Sequence, residues 1–513
     1  MKKLLCILAA LAMLTASAVS CTTPSDNDET HQGSPSTGGA AEVETDPILE
    51  DGLPDDLNFN GEKIVILRSN WKNTTIGVPP EIEQSVQEID DAVYERDRKV
   101  GERLNVKLSA VELSSASTDV KAMIELNDLA ALASYDIVTD RAADMFLTTL
   151  SVQFADLRNT PYVDLSRPWW MPAYNTAAHR EGMQFSATGS MLLSPYRAAM
   201  VTIFNKDLFD SHNQPYLYES VTNGTWTLDQ QAALVSLFHS DNGNGKQDLE
   251  GDVYGFVSAD LFGSVNAYLS ACRLDLVNTE SMAFAPDAER FSDAVNKIIA
   301  LYHNADGAAY IATTDETVPG RAAWDEAQSE ITGLFGRKSA AMATLQVQAL
   351  ERTGFHRAEK YMGDWYGIVP MPKLDEAQES YYTYLEWNLE AIGILAKDAE
   401  RLSRIGAVVE AMSSEGYNLV RPVYEKEIFR AENPVAKQMI RLITDGFRMD
   451  LADLISSRTS TEMLLRDSVK PGSRVTAAQL KTSLRIPQRS VNHALEQIAD
   501  KVAALRTELG YSE

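Results

Sequence analysis

Residues 61–68 read GEKIVILR, a near-continuous apolar run with β-branched residues. Such a run predicts a buried strand in a parallel sheet. After Pro79–Pro80, apolar residues recur on one face of a long helical pattern: Ile82, Val86, Ile89, Val93, Val100 and Leu104. Val106–Leu108 and Tyr135–Asp140 then predict a second and a third strand. Strand, helix, strand, helix, strand is the order typical of an α/β fold with a parallel sheet.

The same alternation continues along the chain. Further strands are predicted at Val201–Phe204, Ala340–Ala343, Trp365–Pro370 and Ala391–Leu395. Thr227 is expected to cap a helix, and the apolar repeat from Val491 to Leu509 predicts a last helix packed on the body. About 455 residues follow position 57, too many for one hydrophobic core, which indicates two lobes.

The N-terminus has the three parts of a secretory signal peptide. Met1–Lys3 is cationic, Leu4–Leu14 is apolar, and the small residues Thr15–Ser20 precede Cys21. A cysteine after small residues resembles the lipobox of bacterial lipoproteins. The resemblance implies that residues 1–20 are removed and that Cys21 becomes the lipidated N-terminus. The alternative is an ordinary secreted protein that is cleaved nearby.

The segment after Cys21 is acidic and poor in large apolar residues. Residues 22–56 carry ten Asp and Glu and no Lys or Arg, a composition that predicts a disordered tether over residues 21–57. The formal net charge of the whole chain is −27, which argues against a nucleic-acid partner. The lipobox resemblance implies contact with the membrane only through the lipid anchor, on the outer face of the cell membrane.

Cysteine usage excludes an internal disulfide in the mature body. Cys272 is the only cysteine left after Cys21, and it lies in the apolar run Ala267–Cys272. We expect it to be a buried, inert thiol.

Several phrases of the sequence, in order, resemble the family 1 (carbohydrate-type) extracellular solute-binding proteins of bacterial ABC importers. They are Asp91–Arg98, Tyr135–Val138, Asp164–Trp170, Phe204–Phe209, Phe335–Met342 and Tyr366–Lys373. The resemblance implies a two-lobe periplasmic-binding-protein-like fold of the class II type, with a ligand cleft between lobes that hinge crossings join.

The resemblance also implies where the lobes begin and end. We expect lobe 1 to comprise residues 58–163 and about 388–455, and lobe 2 residues 164–387 and about 456–513. The chain would then cross near Asp164 and return near Trp387. The resemblance implies two partners, a small solute that we expect to be a sugar and the ABC permease subunits. The protein is expected to be a monomer.

Sugars are bound by flat aromatic faces and by planar polar groups. The candidate ligand contacts are Trp71, Asp140, Trp169, Trp170 and Trp387. Trp71 and Asp140 follow predicted strands, where parallel sheets keep their crevice. Four of them have a structural alternative: a helix cap for Asp140, a ring wedged between lobes for Trp169 or Trp170, and a packed surface ring for Trp71.

No cofactor is required by this interpretation, but Ser240–Asp252 resembles an EF-hand-like calcium loop. The candidate ligands are Asn242, Asn244, Asp248 and Asp252. Ser and Gly stand at the first and twelfth positions, where acids are usual, and the two Asn-Gly pairs also suit an ordinary tight turn.

The expected function is a lipid-anchored, extracellular solute-binding protein that captures a carbohydrate or similar polar molecule for an ABC importer, and not an enzyme. The sequence has no His-Glu-x-x-His and no Gly-x-Ser-x-Gly motif. Two alternatives stay open: an exported enzyme acting on glycans, and a surface binding or sensing lipoprotein that is not coupled to transport.

Overall fold

The computed structural model describes residues 47–70, 87–259, 262–303, 307–313, 320–351, 365–430, 433–459, 466, 469–470 and 473–511. The strands are β1 Glu62–Ser69, β2 Val106–Leu113, β3 Ile137–Arg141, β4 Met200–Asn205, β5 Tyr254–Ala259, β6 Val277–Asn278, β7 Ala283–Phe284, β8 Ala309–Ala312, β9 Ala340–Gln346, β10 Tyr366–Val369, β11 Thr383–Tyr384, β12 Glu390–Ile394 and β13 Phe447–Arg448.

The helices alternate with these strands. They are α1 Gln87–Leu104, α2 Ala116–Glu125, α3 Leu129–Leu132, α4 Ala142–Thr149, α5 Pro172–Ala178, α6 Ser194–Arg197, α7 Lys206–Ser211, α8 Leu217–Thr222, α9 Leu228–Phe238, α10 Phe262–Ala271, α11 Ala288–Tyr302, α12 Gly320–Gly336, α13 Ala399–Glu415, α14 Arg421–Glu427, α15 Pro434–Asp445, α16 Leu451–Thr459, α17 Ala477–Ser483 and α18 Arg485–Glu508. A π-helical turn, Gly416–Val420, joins α13 to α14.

The first lobe is built on a four-stranded sheet in the order β12-β3-β1-β2. β1 pairs in parallel with both β2 and β3, as predicted from their apolar patterns, and β12 joins β3 in the antiparallel direction. The alternate residues Ile64 and Ile66 of β1 are buried in a core that also contains Ile392 and Val408.

The second lobe is built on a five-stranded mixed sheet in the order β10-β4-β9-β5-β8. β4 runs antiparallel to both of its neighbours, while β5 is parallel to β9 and β8. The predicted cap of α9 is confirmed, because the Thr227 hydroxyl accepts a hydrogen bond from the Gln230 amide at 3.3 Å. The strands predicted from Val201 onward are also present, as β4, β9, β10 and β12.

The chain passes between the lobes at short segments that hydrogen-bond to one another. Ala198–Met200 leads into β4, and Leu385–Glu390 leads back into β12. The Glu386 amide donates to the Ala198 carbonyl at 2.8 Å. A third passage lies at Gly446–Asp450, where β13 pairs with β11.

The lobe boundaries differ from the expected ones. The stretch from Asp164 to Leu192 packs in the core of the first lobe, with the Ala187 amide bonded to Ile392 of β12, so the first crossing comes at Ala198 and not near Asp164. The last helix, α18, touches both lobes, since Asn492 accepts from the Phe284 amide and Arg506 pairs with Glu181.

The body also begins earlier than expected. Leu53 is buried, and the backbone of Leu49 exchanges two hydrogen bonds with the Asn418 side chain at 3.0 and 2.8 Å. Leu49, Leu53 and Leu57 all pack in or against the first-lobe core. Because of this packing, Pro47–Leu57 belongs to the folded lobe and not to the tether. The acidic residues between the leucines made the segment look like a tether in the sequence.

Trp169 and Trp170 lie inside the first lobe, each only 1% exposed. Their indole N–H groups donate to the two carboxylate oxygens of Glu410 on α13, at 2.9 and 3.1 Å, and the Asp164 amide adds a third bond at 3.3 Å. The expectation that these rings contact ligand does not match this placement, because neither presents a free face. The pair orients a buried carboxylate instead.

Cys272 is buried, as predicted, and burial raises the pKa of its thiol to about 12. A thiol with so high a pKa is almost entirely protonated and unreactive at neutral pH. Within the described part of the chain, no helix combines the length and apolar character needed to cross a membrane.

The buried carboxyl group of Glu410 should make the free energy of unfolding depend on pH. Burial raises its pKa from 4.5 to about 7, although the N–H bonds from Trp169, Trp170 and Asp164 oppose the rise, so the folded protein binds this proton more tightly than the unfolded chain does. This group therefore costs nothing below pH 4.5 and progressively lowers the free energy of unfolding as the pH rises to about 7. Glu410→Gln should remove that decline, on the order of 3 kcal/mol, in urea unfolding measured between about pH 5 and pH 8.

Glu379→Gln, at an exposed loop position, is the matched control and should keep the wild-type pH profile. Parallel profiles for wild type and Glu410→Gln would show that the Glu410 carboxyl does not titrate in this range.

Candidate functional site

The carboxyl ends of the parallel strands of both lobes point toward the crossing segments. β1 and β3 end at Ser69 and Arg141, and β9 of the second lobe ends at Gln346. The crossings contact these strand ends: the Ala142 amide, after β3, bonds to Leu389 of the return crossing, and the Val347 amide, after β9, bonds to Ala199 of the first crossing. Ligands of open α/β sheets bind at such strand ends, so this edge is the candidate site.

Trp387 is the exposed aromatic of this edge. Among the tryptophans whose side chains the structure describes, it alone is exposed, at 39%. The Arg141 guanidinium carbon lies 5.5 Å from the centroid of its ring, and Asp144 pairs with Arg141 at 2.5 Å. Burial raises the pKa of Asp144, and the Arg141 charge opposes that rise. A flat ring, a guanidinium and a carboxyl group thus lie together at one place.

A chain of side-chain amides lies beside Trp387. Gln346 donates to Asn388 at 2.5 Å, and Asn388 donates to Gln348 at 2.9 Å. Gln346 is buried, and its Oε1 has no hydrogen-bond partner among the described residues. An amide oxygen can accept a hydrogen bond from a hydroxyl, and this one is buried beside the crossing.

The second lobe contributes the start of α10. A Cβ added to Gly263 would lie 2.1 Å from the Glu386 carboxylate, so only glycine lets the crossing segment approach this helix so closely. Ser264 follows, buried, and its hydroxyl has no partner within the described part of the chain. Polar groups of both lobes therefore surround the crossing that carries Trp387.

Asp140 has a structural role here. Its buried carboxylate accepts from the Ser117 amide at 2.9 Å and the Ser117 hydroxyl at 2.7 Å, at the start of α2. Burial alone would raise the pKa of Asp140, but these hydrogen bonds lower it below its ordinary value. The expectation of a ligand contact at Asp140 does not match this geometry, because Oδ2 accepts the two Ser117 bonds at the start of α2 and Oδ1 accepts from the Arg141 amide at 2.8 Å.

Two other candidates cannot be placed. Trp71 and Cys21 lie outside the described residues, so their roles stay predictions. Arg68, at the end of β1, is paired with Glu112 of β2.

The candidate calcium loop is a closed turn at the edge of the second lobe. The Asp248 carboxylate accepts from the side-chain amides of both Asn242 and Asn244, and Asp252 accepts from the Asn242 and Asp248 backbone amides at 2.9 Å each. These bonds lower the pKa of Asp252, with that from the Asp248 amide the largest cause. Within the described part of the chain, no three His, Cys, Asp or Glu side chains are grouped as metal ligands.

The sequence points to Trp387 but not to the amide side chains beside it. Gln346 and Asn388 are ordinary amides in the sequence, and the signal available was position: Gln346 ends β9, and Asn388 follows the exposed tryptophan. Their relation to each other depends on the crossing, which joins residues 42 positions apart.

No protein-family model matches the chain, and no curated protein matches it in sequence. Solved structures match it at low identity. Apo RafE from Streptococcus pneumoniae has a TM-score of 0.53 at 15% identity, covering 86% of this chain and 98% of RafE.

Two further solved structures are similar to the chain over most of its length. RafE in complex with raffinose has a TM-score of 0.51 at 16% identity, covering 84% of this chain and 99% of that one. The cyclic alpha-maltosyl-1,6-maltose binding protein from Arthrobacter globiformis has a TM-score of 0.51 at 12% identity, covering 85% and 99%. The chain therefore has the two-lobe, periplasmic-binding-protein-type α/β fold of these sugar-binding proteins.

Proposed function

We propose that this protein is a lipid-anchored, extracellular solute-binding protein that captures a carbohydrate or similar polar molecule for an ABC importer. The observation that carries the proposal is the exposed Trp387 with Arg141 at the carboxyl edge, where the two lobes meet. An aromatic face receives the C–H surface of a sugar ring, while guanidinium and amide groups hydrogen-bond its hydroxyls.

The fold supports this proposal over an enzyme. The structures that the chain resembles are described as binding proteins, and RafE is described in complex with raffinose. The side-chain amides of Gln346 and Asn388 are groups that can hydrogen-bond a hydroxyl but do not act as general acids or bases. A site built from an aromatic ring and amide side chains is suited to binding and releasing a ligand without changing it chemically.

The anchor and the partners are part of the same proposal. The segment that resembles a lipobox would attach Cys21 to the outer face of the cell membrane, and the residues after it would let the body reach the permease subunits. We also propose a structural calcium ion at the loop of Asn242, Asn244, Asp248 and Asp252. Its support is the spacing of oxygen-bearing side chains over Ser240–Asp252, which resembles an EF-hand-like calcium loop.

Trp387→Ala tests the binding site. A thermal-shift screen across neutral sugars and oligosaccharides, including raffinose and maltose, first identifies a ligand that raises the melting temperature. The variant should then weaken its binding by on the order of 2 kcal/mol, about thirtyfold in Kd, by titration calorimetry. Its melting temperature without ligand should change little, because the ring is already exposed.

Trp365→Phe is the matched control, since Trp365 is buried against Phe335. It should lower the melting temperature and keep the affinity. Unchanged affinity in Trp387→Ala would move the binding site elsewhere.

Cys21→Ser tests the anchor. Without the thiol no lipid can be attached, so the protein should appear in the soluble fraction or remain unprocessed. Cys6→Ser, within the removed segment, should stay membrane-bound like wild type. Equal membrane retention of both variants would exclude lipidation at Cys21.

Chelation tests the calcium site. Excess calcium should raise the melting temperature relative to chelator, and Asp248→Ala should abolish the difference. Glu250→Ala, exposed in the same loop, should keep it. If the wild-type melting temperature is the same in calcium and in chelator, the loop does not bind calcium and is an ordinary turn.

A further inference from the structure

A second concave site lies on the first lobe, away from the crossings. It is a cavity of about 420 Å³ between the turn Leu157–Asn159, the loop Val163–Ser166 and α5. This volume falls within the range of about 300–1,000 Å³ that small-molecule sites occupy.

The cavity and Trp387 lie at opposite ends of the strands of the first-lobe sheet. The Ala155 amide bonds to Ile394, which pairs with Ile137, the first residue of β3. The Leu157 amide bonds to Gln184, one of the lining residues. The cavity therefore borders the amino end of β3, whereas Arg141 and Trp387 lie at its carboxyl end.

The polar walls of the cavity are held in place by their own hydrogen bonds. Asp164 accepts from the Ser166 amide at 3.0 Å and from its hydroxyl at 2.5 Å. Gln184 donates to Asn175 at 2.9 Å, and Asn175 donates to the Leu165 carbonyl. A site built this way loses little entropy when a ligand binds.

The charges of the lining are balanced. Arg158 supplies one positive charge and Asp164 one negative charge, and Asp164 also faces Arg167 at 3.7 Å. Burial lowers the pKa of His179, and the nearby guanidinium groups of Arg158 and Arg180 lower it further, so its ring is neutral at neutral pH. A neutral imidazole offers one donor and one acceptor.

The remaining lining suits a hydroxylated ligand. Ser166, Thr176 and Asn175 carry hydroxyl and amide groups, and Val163 and Leu165 add partly buried apolar surface. Hydroxyls find both donors and acceptors here, and C–H surfaces find an apolar wall. We propose that this cavity is a second binding site, for a neutral saccharide unit, separate from the site at the crossings.

The test measures binding of glucose and N-acetylglucosamine by saturation-transfer NMR. Thr176→Trp introduces a large ring at an exposed position of α5 that lines the cavity. Sugar signals should persist in Trp387→Ala and disappear when Thr176→Trp is added. Glu219→Trp, which introduces the same ring at an exposed position of α8 outside the cavity, should retain them in place of Thr176→Trp. Melting temperatures confirm that each variant is folded.

Signals that Trp387→Ala alone abolishes, or that survive Thr176→Trp in the double variant, would overturn the proposal. Glucuronate that binds as well as glucose at this site would overturn the assignment to a neutral ligand. Because Thr176→Trp leaves the crossings intact, failure of this site is distinguishable from failure of the function proposed for Trp387.

Discussion

A buried ion pair joins the two lobes beside the crossings. The Arg197 Nε lies 2.8 Å from the Glu351 carboxylate, and the Tyr424 hydroxyl donates to the same oxygen at 2.6 Å. Arg197 ends α6 just before the first crossing, Glu351 follows β9 of the second lobe, and Tyr424 lies on α14. Burial opposes the Arg197 charge, but the facing carboxylate outweighs it and raises the pKa of Arg197.

Removing one member of such a pair leaves an uncompensated buried charge, which typically costs about 3–5 kcal/mol. The pair therefore constrains where the two sheets meet. The π-helical turn Gly416–Val420 stands between α13, which carries Glu410, and α14, which carries Tyr424. One continuous run of helix thus carries the acceptor for Trp169 and Trp170 and a donor to the interlobe pair.

The candidate binding site follows from that constraint. Trp387 lies on a crossing segment whose backbone is bonded to both lobes, so its ring is fixed where the strand ends converge. The amides of Gln346 and Asn388 reach each other only because the lobes meet there. Under the proposed function, a ligand at this place would contact the segment that joins the lobes.

The α/β class, the parallel strands β1, β2 and β3, the cap at Thr227 and the burial of Cys272 were all predictable from sequence, because each depends on a local apolar pattern or a neighbouring side chain. The roles of the tryptophans were not. Trp169 and Trp170 look like Trp387 in sequence, but Glu410, more than 200 residues away, determines that they are buried. The lobe boundaries likewise required tertiary structure, since pairing with Ile392 decides where the stretch before Ala198 belongs. The local apolar pattern determines which segments form helices and strands. Which side chains are buried, and which lie at the candidate site, depends on contacts with residues far away in the sequence.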